Sequence, residues 1–218
     1  WSSDVCSSDL AARRVATQHT VAAGLLLHAG EVDAAVCGGT GDWWQHMKDI
    51  IPLVPRRPGA SRVYALSCLI LPTGALFMCD THMVVDPTAE QVAEMTALAA
   101  EAVREFGLTP KAALLSHSNF GASHSASARK MQRAVGLIRE AVPDLDVDGE
   151  MHADAALVES IRDRIVPDSR LSGTANLLVM PNLDAANIAF NLVKAAVDAQ
   201  PVGPLLLGTS KPIHVVVP

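Results

Sequence analysis

The residue types best suited to chemistry in this sequence lie in short polar segments that follow apolar runs. Residues 116–125 come directly after the run 112–115, and they include Ser116, Ser118 and Asn119. Hydroxyl and amide groups both donate and accept hydrogen bonds, so this segment is suited to holding an anion or a carbonyl oxygen. We therefore predict that Ser116, Ser118 and Asn119 hydrogen-bond a ligand.

Three other segments are built in the same way, at residues 148–154, 181–187 and 208–212. The second of these ends on Asn187, and the third contains Lys211, the only cation in the four segments. We predict that Asn187 and Lys211 face the same cleft as the first segment, with Lys211 as the partner of a negative charge. Ser, Asn, Gly and Asp are also the ordinary residues of turns and helix caps, so capping explains each segment taken alone.

The polar segments alternate with helical and strand-like stretches, which predicts an α/β fold with a mainly parallel sheet and helices on both faces. In such a sheet, ligands bind beyond the carboxyl ends of the strands, where loops and helix N-termini meet. Residues 86–91 carry a helix cap, a proline and a capping-box pair, so a helix is expected from there to about residue 106. Two apolar runs, 66–71 and 75–79, flank Pro72-Thr73-Gly74 and predict a hairpin. Further strands are expected near 33–37, 112–115, 145–147, 175–180, 203–207 and 213–217, and further helices near 42–51, 125–141, 154–164 and 184–197.

Other chemistries find less support in the residue spacing. His117, His124 and His152 could form a metal site together with Asp148, Glu150 and Asp154, but none of them has a compact metal-ligand spacing such as His-x-x-x-His. Ser116 lacks the two flanking glycines of a hydrolase nucleophile. No glycine-rich loop for a dinucleotide or a nucleoside triphosphate occurs. We therefore predict neither a metal site nor a catalytic residue within this chain.

The composition narrows the class of protein further. The chain has 218 residues, of which 50% are hydrophobic and 18% are charged, so it has enough apolar side chains for a large core. Its formal net charge of -6 argues against a nucleic-acid partner, and no apolar run reaches the ~18 residues of a bilayer-spanning helix. Four cysteines without a Cys-x-x-Cys pair are typical of a reducing cytosol, so we expect a cytoplasmic protein. Residues 1–10 repeat a Ser-Ser-Asp unit and are interpreted as adapter-derived sequence, which leaves residues 11–218 as the domain.

Five stretches, taken in order, resemble the phosphate acetyl/butyryltransferase family. They are Gly30–Gly38, Asp86–Gln91, Lys111–Ser118, Asp148–Ala156 and Ala175–Ile188. The resemblance covers nearly all of the chain, from about residue 20 to residue 213. It implies a two-lobed fold like that of the phosphotransacetylases and of the isocitrate and isopropylmalate dehydrogenases, and a domain truncated at both ends.

Residues 115–121 and 179–189 are most similar to one subgroup, the phosphotransacetylase-like C-terminal domain of bacterial NADP-dependent malic enzymes. This resemblance implies that acetyl-CoA or a related acyl-CoA is an effector of the protein, and Lys211 would then pair with a phosphate of CoA. It also implies a homo-oligomer, and an N-terminal malate-decarboxylating part that holds NADP and a divalent metal. No cofactor is expected in the present chain itself.

The resemblance weakens after the Lys-Pro turn. Active family members carry there a serine and an arginine of the reaction centre, and alignment from Lys211 places Val217 and Pro218 at those positions. Valine and proline can neither stabilise a reacting carbonyl nor hold a phosphate. We therefore expect a regulatory and oligomerisation domain that senses acetyl-CoA without transacetylase activity. An active phosphate acetyltransferase and a purely structural oligomerisation module are the alternatives.

Overall fold

A computed structural model describes residues 18–216 of the chain. The sequence predictions for residues 1–10, Val217 and Pro218 therefore lie outside the described residues. In chain order the elements are α1 (His19–Ala29), β1 (Ala35–Gly38), α2 (Trp43–Ile50), β2 (Tyr64–Leu71), β3 (Gly74–Cys79), α3 (Ala89–Glu105), β4 (Lys111–Leu115), α4 (Ala126–Ala141), β5 (Asp146–Met151), α5 (Ala153–Leu157), α6 (Glu159–Ile165), β6 (Leu177–Val179), α7 (Leu183–Ala196), β7 (Gln200–Leu207) and β8 (Ile213–Val216).

The elements form two lobes of unequal size. In the smaller lobe, β1 and β8 pair in parallel and pack with α1 and α2 around their own apolar core, which includes Leu27, Met47 and Ile213. The larger lobe contains a six-stranded sheet with the order β5-β4-β6-β3-β2-β7. These lobes and the α/β class confirm the architecture predicted from the sequence.

The large sheet is mainly parallel, and β2 is its exception. β2 is antiparallel to β3 through the predicted hairpin and antiparallel to β7 on its other side. The remaining pairs are parallel, so β3, β4, β5, β6 and β7 all point the same way. Their carboxyl ends therefore meet at one edge of the sheet, which we call the carboxyl edge.

Both faces of this sheet carry helices, as the pattern of the strands requires. Side chains alternate between the two faces along a strand. Ala112 and Leu114 belong to the core beneath α3 and α4, whereas Ala113 and Leu115 belong to the core beneath α5 and α7. The start of α3 is the predicted capping box, in which Thr88 accepts from the Gln91 backbone N–H and the Gln91 side chain accepts from the Thr88 backbone N–H.

Two local predictions need correction. The single helix expected over residues 154–164 is divided into α5 and α6, because the intervening Val158 adopts an extended backbone conformation. The weak strand expected at 145–147 extends to Met151, since β5 continues its parallel pairing with β4 through polar residues that show no strand pattern in the sequence. Tertiary pairing, rather than local preference, sets both of these boundaries.

Candidate functional site

A groove of about 950 Å³ lies on the sheet face that carries α5 and α7. Its floor is apolar and includes Leu76, Met78 and Leu178. One wall is α7, which contributes a side chain at each turn, and the others are α5 and the tip of the β2–β3 hairpin. The α7 residues are Ala185, Ala189, Val193 and, just after the helix, Val197. A long apolar groove of this size fits the body of an organic ligand.

The groove becomes polar where it reaches the carboxyl edge. Ser116, His117, Ser127 and Asn182 line this end. Asn182 caps α7 by accepting from the Ala185 backbone N–H. The groove has no lining Lys, Arg, Asp or Glu among residues 18–216, so its polar end offers neutral hydrogen-bonding groups and one histidine. Of the predicted ligand residues, Ser116 is therefore placed to contact a molecule in the groove.

Ser118 lies just beneath this polar end, and its side chain stabilises the loop after β4 rather than lining the groove. Its hydroxyl donates to the buried Glu150 carboxylate at 2.8 Å. The same carboxylate oxygen accepts from the Gly121 backbone N–H at 2.9 Å and from the Gln132 amide at 3.1 Å. Glu150 thus holds the loop after β4 in place, and Ser118 is 3% exposed. Sequence patterns do not distinguish such a loop-fixing serine from one that faces a ligand.

Asn119 and Asn187 also lie outside the lining of the groove. The Asn119 side-chain oxygen accepts from the His152 backbone N–H at 2.7 Å, so it connects the first predicted loop to the second. Asn187 lies on α7, where its amide donates to the Thr81 carbonyl at 3.4 Å. Both residues therefore join neighbouring segments at the carboxyl edge. Ligand binding by either residue stays a prediction.

Lys211 does not face the same cleft as Ser116, contrary to the sequence-based expectation. Its ammonium donates to the carbonyls of Leu27 and His28 at 2.6 and 3.3 Å, at the C-terminal end of α1. The physical reason is the strand order, because β7 and β4 are four strand spacings apart, which is ~19 Å. A cation at the end of a helix also complements the helix dipole. Lys211 therefore has a structural partner in the small lobe.

Lys130 reaches the carboxyl edge, where it pairs with Asp86 at 2.6 Å and donates to the Pro181 carbonyl at 2.8 Å. Two arginines that the sequence analysis did not select also lie at this edge. Arg56 and Arg62, with Ser61, line a second cavity of about 510 Å³ between the small lobe and the loop that follows β3. Arg57 points elsewhere and pairs with Glu101 at 2.7 Å. The sequence indicates this cavity only by the clustering of Arg56, Arg57 and Arg62 among prolines and a glycine. The same composition is typical of an ordinary exposed crossover.

The loop after β3 separates the groove from the arginine cavity, and Asp80 determines its shape. The Asp80 carboxylate accepts backbone N–H groups from His82, Met83 and Val84 at 2.9–3.0 Å, and from Ala65 at 3.3 Å. Burial raises the pKa of Asp80 from 3.8 to about 6, although these four donors act in the opposite direction. The groove and the arginine cavity are consequently neighbouring parts of one edge, joined by a fixed loop.

Within residues 18–216, no three His, Cys, Asp or Glu side chains lie close enough together to hold a metal ion. None of the described helices has both the length and the apolar composition needed to cross a bilayer. The three cysteines in this part of the chain, Cys37, Cys68 and Cys79, are free thiols.

The chain belongs to the phosphate acetyl/butaryl transferase family, whose sequence profile matches residues 6–218. The solved structures that it resembles include the EutD phosphotransacetylase from Staphylococcus aureus, with a TM-score of 0.84 and 27% identity over 91% of this chain and 61% of that one. A phosphotransacetylase from Streptococcus pyogenes gives the same TM-score of 0.84 at 28% identity, over 89% of this chain and 60% of that one.

Among curated relatives, the chain is 47% identical to an NADP-dependent malic enzyme from Salmonella typhimurium, over 97% of this chain and 28% of the relative. It is 49% identical to an NAD-dependent malic enzyme from Rhizobium meliloti, over 94% of this chain and 26% of that protein. A phosphate acetyltransferase from Haemophilus influenzae is 31% identical, over 95% of this chain and 29% of that protein. The chain therefore corresponds to the phosphotransacetylase-like region of malic enzymes and spans about a quarter of their length.

Proposed function

We propose that this chain is a regulatory and assembly domain of a malic enzyme, that it binds acetyl-CoA or a related acyl-CoA, and that it does not itself transfer the acetyl group. The observation that carries the proposal is the uncharged groove that ends in Ser116 and His117 at the carboxyl edge. Such a groove suits a neutral, extended chain bearing a thioester. Apolar walls with a few hydrogen-bonding groups are the usual form of a small-molecule site.

In this proposal the two cavities of the carboxyl edge share one ligand. Ser116 hydrogen-bonds the acyl end, while Arg56 and Arg62 meet the phosphates of CoA. The arginine cavity lies at the start of β2, and Ser116 follows β4. β2 and β4 are three strand spacings apart in the sheet, or ~14 Å, which an extended pantetheine arm can span. Arginine binds phosphate with two parallel hydrogen bonds. Arg56 donates to the Ser61 carbonyl with one of its five N–H groups and keeps the others for a ligand, whereas the Lys211 ammonium already donates to two carbonyls.

The remaining predicted residues act indirectly in this proposal. Ser118 and Asn119 hold the loop that presents Ser116, through Glu150 and the His152 backbone. Asn187 contributes to the same edge through the carbonyl of Thr81. Substitution of these three residues would thus weaken binding by releasing the loops rather than by removing a ligand contact.

The proposed lack of transacetylase activity has two supports. Acetyl transfer to phosphate needs an oxyanion stabiliser and a cationic clamp on the phosphate, and removing such donors lowers rates by about a hundredfold or more each. In the described part of the chain, no cation lines the groove beside Ser116. In the sequence, Val217 and Pro218 stand where alignment places the serine and arginine of active family members.

We further propose that the parent protein oxidises and decarboxylates malate in the cytoplasm, as a homo-oligomer. The malic enzymes that the chain matches are three to four times longer than the matched region, and their names include both NADP-dependent and NAD-dependent enzymes. The nicotinamide cofactor and a divalent metal would then belong to the remainder of the parent chain.

Calorimetric titration of the 218-residue chain with acetyl-CoA tests the proposal. We expect saturable binding, and about tenfold weaker binding for Arg62→Ala, because an arginine–phosphate contact at a partly exposed site contributes on the order of 1.4 kcal/mol. Lys211→Ala is the matched cation control and should bind almost as tightly as the wild type. If Lys211→Ala weakens binding and Arg62→Ala does not, the assignment of the arginine cavity is wrong.

The same preparation separates the two alternative functions. Formation of acetyl-CoA from acetyl phosphate and CoA would identify the chain as an active phosphate acetyltransferase. An absence of heat at millimolar acetyl-CoA would instead leave a purely structural module. Either result would contradict the proposed role as a catalytically silent acyl-CoA sensor.

A further inference from the structure

Both arginines of the arginine cavity belong to a long segment that forms no helix or strand. Residues 51–63 connect α2 to β2, and they include three prolines and Gly59. This segment, which we call the arginine crossover, contributes Arg56 and Arg62 to the cavity. An irregular segment of this length keeps its side chains in place only where specific contacts fix its backbone. The contacts of the arginine crossover therefore decide where the two guanidinium groups lie.

The first half of the arginine crossover is fixed by the segment that follows β7 and by α3. The Ser210 backbone N–H donates to the Pro55 carbonyl at 2.8 Å, and the Arg57 backbone N–H donates to the Gly208 carbonyl at 2.9 Å. The Arg57 side chain pairs with Glu101 on α3 at 2.7 Å. These contacts lie between residues 55 and 57, so the second half of the crossover depends on other partners.

The second half of the arginine crossover is fixed by Glu94, which lies about two turns before Glu101 on α3. One oxygen of the Glu94 carboxylate accepts from the Ser61 backbone N–H. The other oxygen accepts from the Ser61 hydroxyl and, at 2.6 Å, from the Tyr64 hydroxyl. Tyr64 is completely buried at the start of β2, so it connects the carboxylate to the core. Glu94 thus holds Ser61 through both its main chain and its side chain.

The same hydrogen bonds determine how this cluster ionises. Burial by itself would raise the pKa of Glu94, but the hydrogen bonds from Ser61 and Tyr64 outweigh burial and hold the pKa below its ordinary value. Burial raises the pKa of Tyr64 above its ordinary value, and the hydrogen bond to Glu94 acts in the same direction. At neutral pH a carboxylate therefore faces three donors, an arrangement that gives strong hydrogen bonds.

Ser61 links this cluster to both arginines of the cavity. Its carbonyl accepts from the Arg56 guanidinium, and Arg62 is the next residue along the chain. Neither arginine forms an ion pair with a carboxylate among residues 18–216, so Glu94 is connected to them through Ser61 and not by direct contact. A carboxylate in direct contact with a guanidinium would compete with a bound phosphate, because both use the same donors. Binding to the intervening serine leaves those donors available.

We propose that Glu94 is a positioning residue of the arginine cavity, which fixes Ser61 and thereby directs Arg56 and Arg62 towards the phosphates of an acyl-CoA. This inference rests on the proposed function, which assigns those phosphates to the arginine cavity. Fixing the crossover before the ligand arrives raises affinity, because long side chains that are already ordered lose less conformational entropy on binding. Removal of the Glu94 carboxylate would leave both arginines in the chain without a fixed position.

A double-mutant cycle, measured by calorimetric titration of the 218-residue chain with acetyl-CoA, tests this role. We expect Glu94→Ala to weaken binding about tenfold. Arg62→Ala should then cost less than about threefold in the Glu94→Ala background, because residues that act through one another are not additive. Binding of S-acetylpantetheine, which carries no phosphate, should change by less than about twofold in Glu94→Ala. Glu90→Ala is the matched control, since Glu90 is a glutamate of α3 that pairs with Arg133 instead.

Glu94→Gln separates the position of the crossover from the charge of the carboxylate. The glutamine amide can accept from the Ser61 N–H and donate to a hydroxyl oxygen, so this variant should bind acetyl-CoA within about threefold of the wild type. An additive cycle would overturn the proposal, and so would an equal loss of affinity for acetyl-CoA and S-acetylpantetheine, because both results describe a general structural role. Tighter binding by Glu94→Ala would also overturn it, since the carboxylate would then act as a repelling charge.

Limited proteolysis with trypsin measures the position of the crossover without any ligand. In Glu94→Ala, cleavage after Arg62 should be about fivefold faster or more, whereas cleavage after Arg56 should change little because residues 208–210 hold that half. Tyr64→Phe keeps the buried ring and removes one hydrogen bond to Glu94, so cleavage after Arg62 should be about threefold faster even if Glu94→Ala fails to fold.

The two measurements distinguish failure of this inference from failure of the proposed function. Unchanged cleavage after Arg62 in Glu94→Ala and Tyr64→Phe would overturn the positioning role, whatever the ligand. If Arg62→Ala alone leaves acetyl-CoA binding unchanged, the phosphate assignment of the proposed function is wrong, and the ligand part of this inference is overturned with it. Faster cleavage after Arg62 would in that case still support the fixing of Ser61 by Glu94.

Discussion

Replacement of Arg162 by methionine should destabilise the large lobe strongly, although it removes only one side chain from a short helix. Arg162 is completely buried and donates to three carbonyls, those of Ala155 at 3.1 Å, Leu171 at 2.9 Å and Gly173 at 2.6 Å. These bonds fasten α5 and the loop before β6 to α6. Because α5 lines the groove, the same contacts maintain the groove wall.

The size of the effect follows from these contacts. Methionine keeps much of the volume but leaves three carbonyls without a donor, at about 1.5 kcal/mol each. Removing a buried charge recovers part of this loss as desolvation free energy. We therefore expect the free energy of unfolding to fall by about 3 kcal/mol. With a urea m-value of about 3 kcal/mol/M, the unfolding midpoint would decrease by about 1 M.

Urea unfolding followed by far-ultraviolet circular dichroism measures this shift, with Arg164→Met as the matched control. Arg164 is two residues further along the same helix and is exposed, so its replacement should change the stability by less than about 0.5 kcal/mol. Arg162→Lys should lie between, because a single ammonium cannot reach all three carbonyls. A loss below about 1 kcal/mol for Arg162→Met would refute the argument that the buried guanidinium fastens these segments.

Three further predictions concern other parts of the fold. Burial raises the pKa of Asp80 from 3.8 to about 6, so the native state binds the carboxyl proton more tightly than the unfolded state does. The stabilisation from this proton is complete below pH ~4, and about 3 kcal/mol of it is lost as the pH rises through 6. Unfolding free energies measured over a pH series should therefore vary less with pH for Asp80→Asn than for the wild type. Burial raises the pKa of the Cys68 thiol to about 11 and that of Cys79 still further. A thiol reagent at pH 8 should therefore label neither cysteine until urea unfolds the chain, and peptide mass spectrometry measures this labelling. Rapid labelling in the native protein would contradict the burial of the two thiols. Gly149 has φ +138°, and a Cβ there would lie 2.6 Å from the Leu114 carbonyl oxygen, so Gly149→Ala should lower the thermal midpoint by several degrees, whereas Gly136→Ala on the open face of α4 should not lower it.

Much of the local structure was predictable because it depends on neighbours along the chain. The capping box at Thr88, the hairpin turn at Pro72-Thr73-Gly74 and the alternating helices and strands are all confirmed. Each arises from backbone hydrogen bonds or turn geometry within a few residues. The same local information failed for the polar strand β5, whose extent depends on its partner β4.

The candidate site was predictable only in part, because its composition depends on which strand ends lie side by side. Ser116 lines the groove, whereas the Ser118 hydroxyl donates to Glu150, which is 32 residues away in sequence. The cations of the second cavity are Arg56 and Arg62, which belong to a crossover that the sequence predicted to be an exposed loop. The spacing of residues in the sequence does not predict that this crossover contacts the loop after β3.

The sequence by itself determined the family and the α/β class and provided a set of candidate ligand residues, since motif order and side-chain chemistry are properties of the linear chain. Only the tertiary structure decided how those residues are used. The strand order β5-β4-β6-β3-β2-β7 separates Lys211 from Ser116, so the Lys211 ammonium binds a carbonyl at the end of α1 instead. The same fold places Arg56 and Arg62 at the carboxyl edge. Contacts between distant segments are selected by packing of the whole core, and that selection is not encoded at any single position.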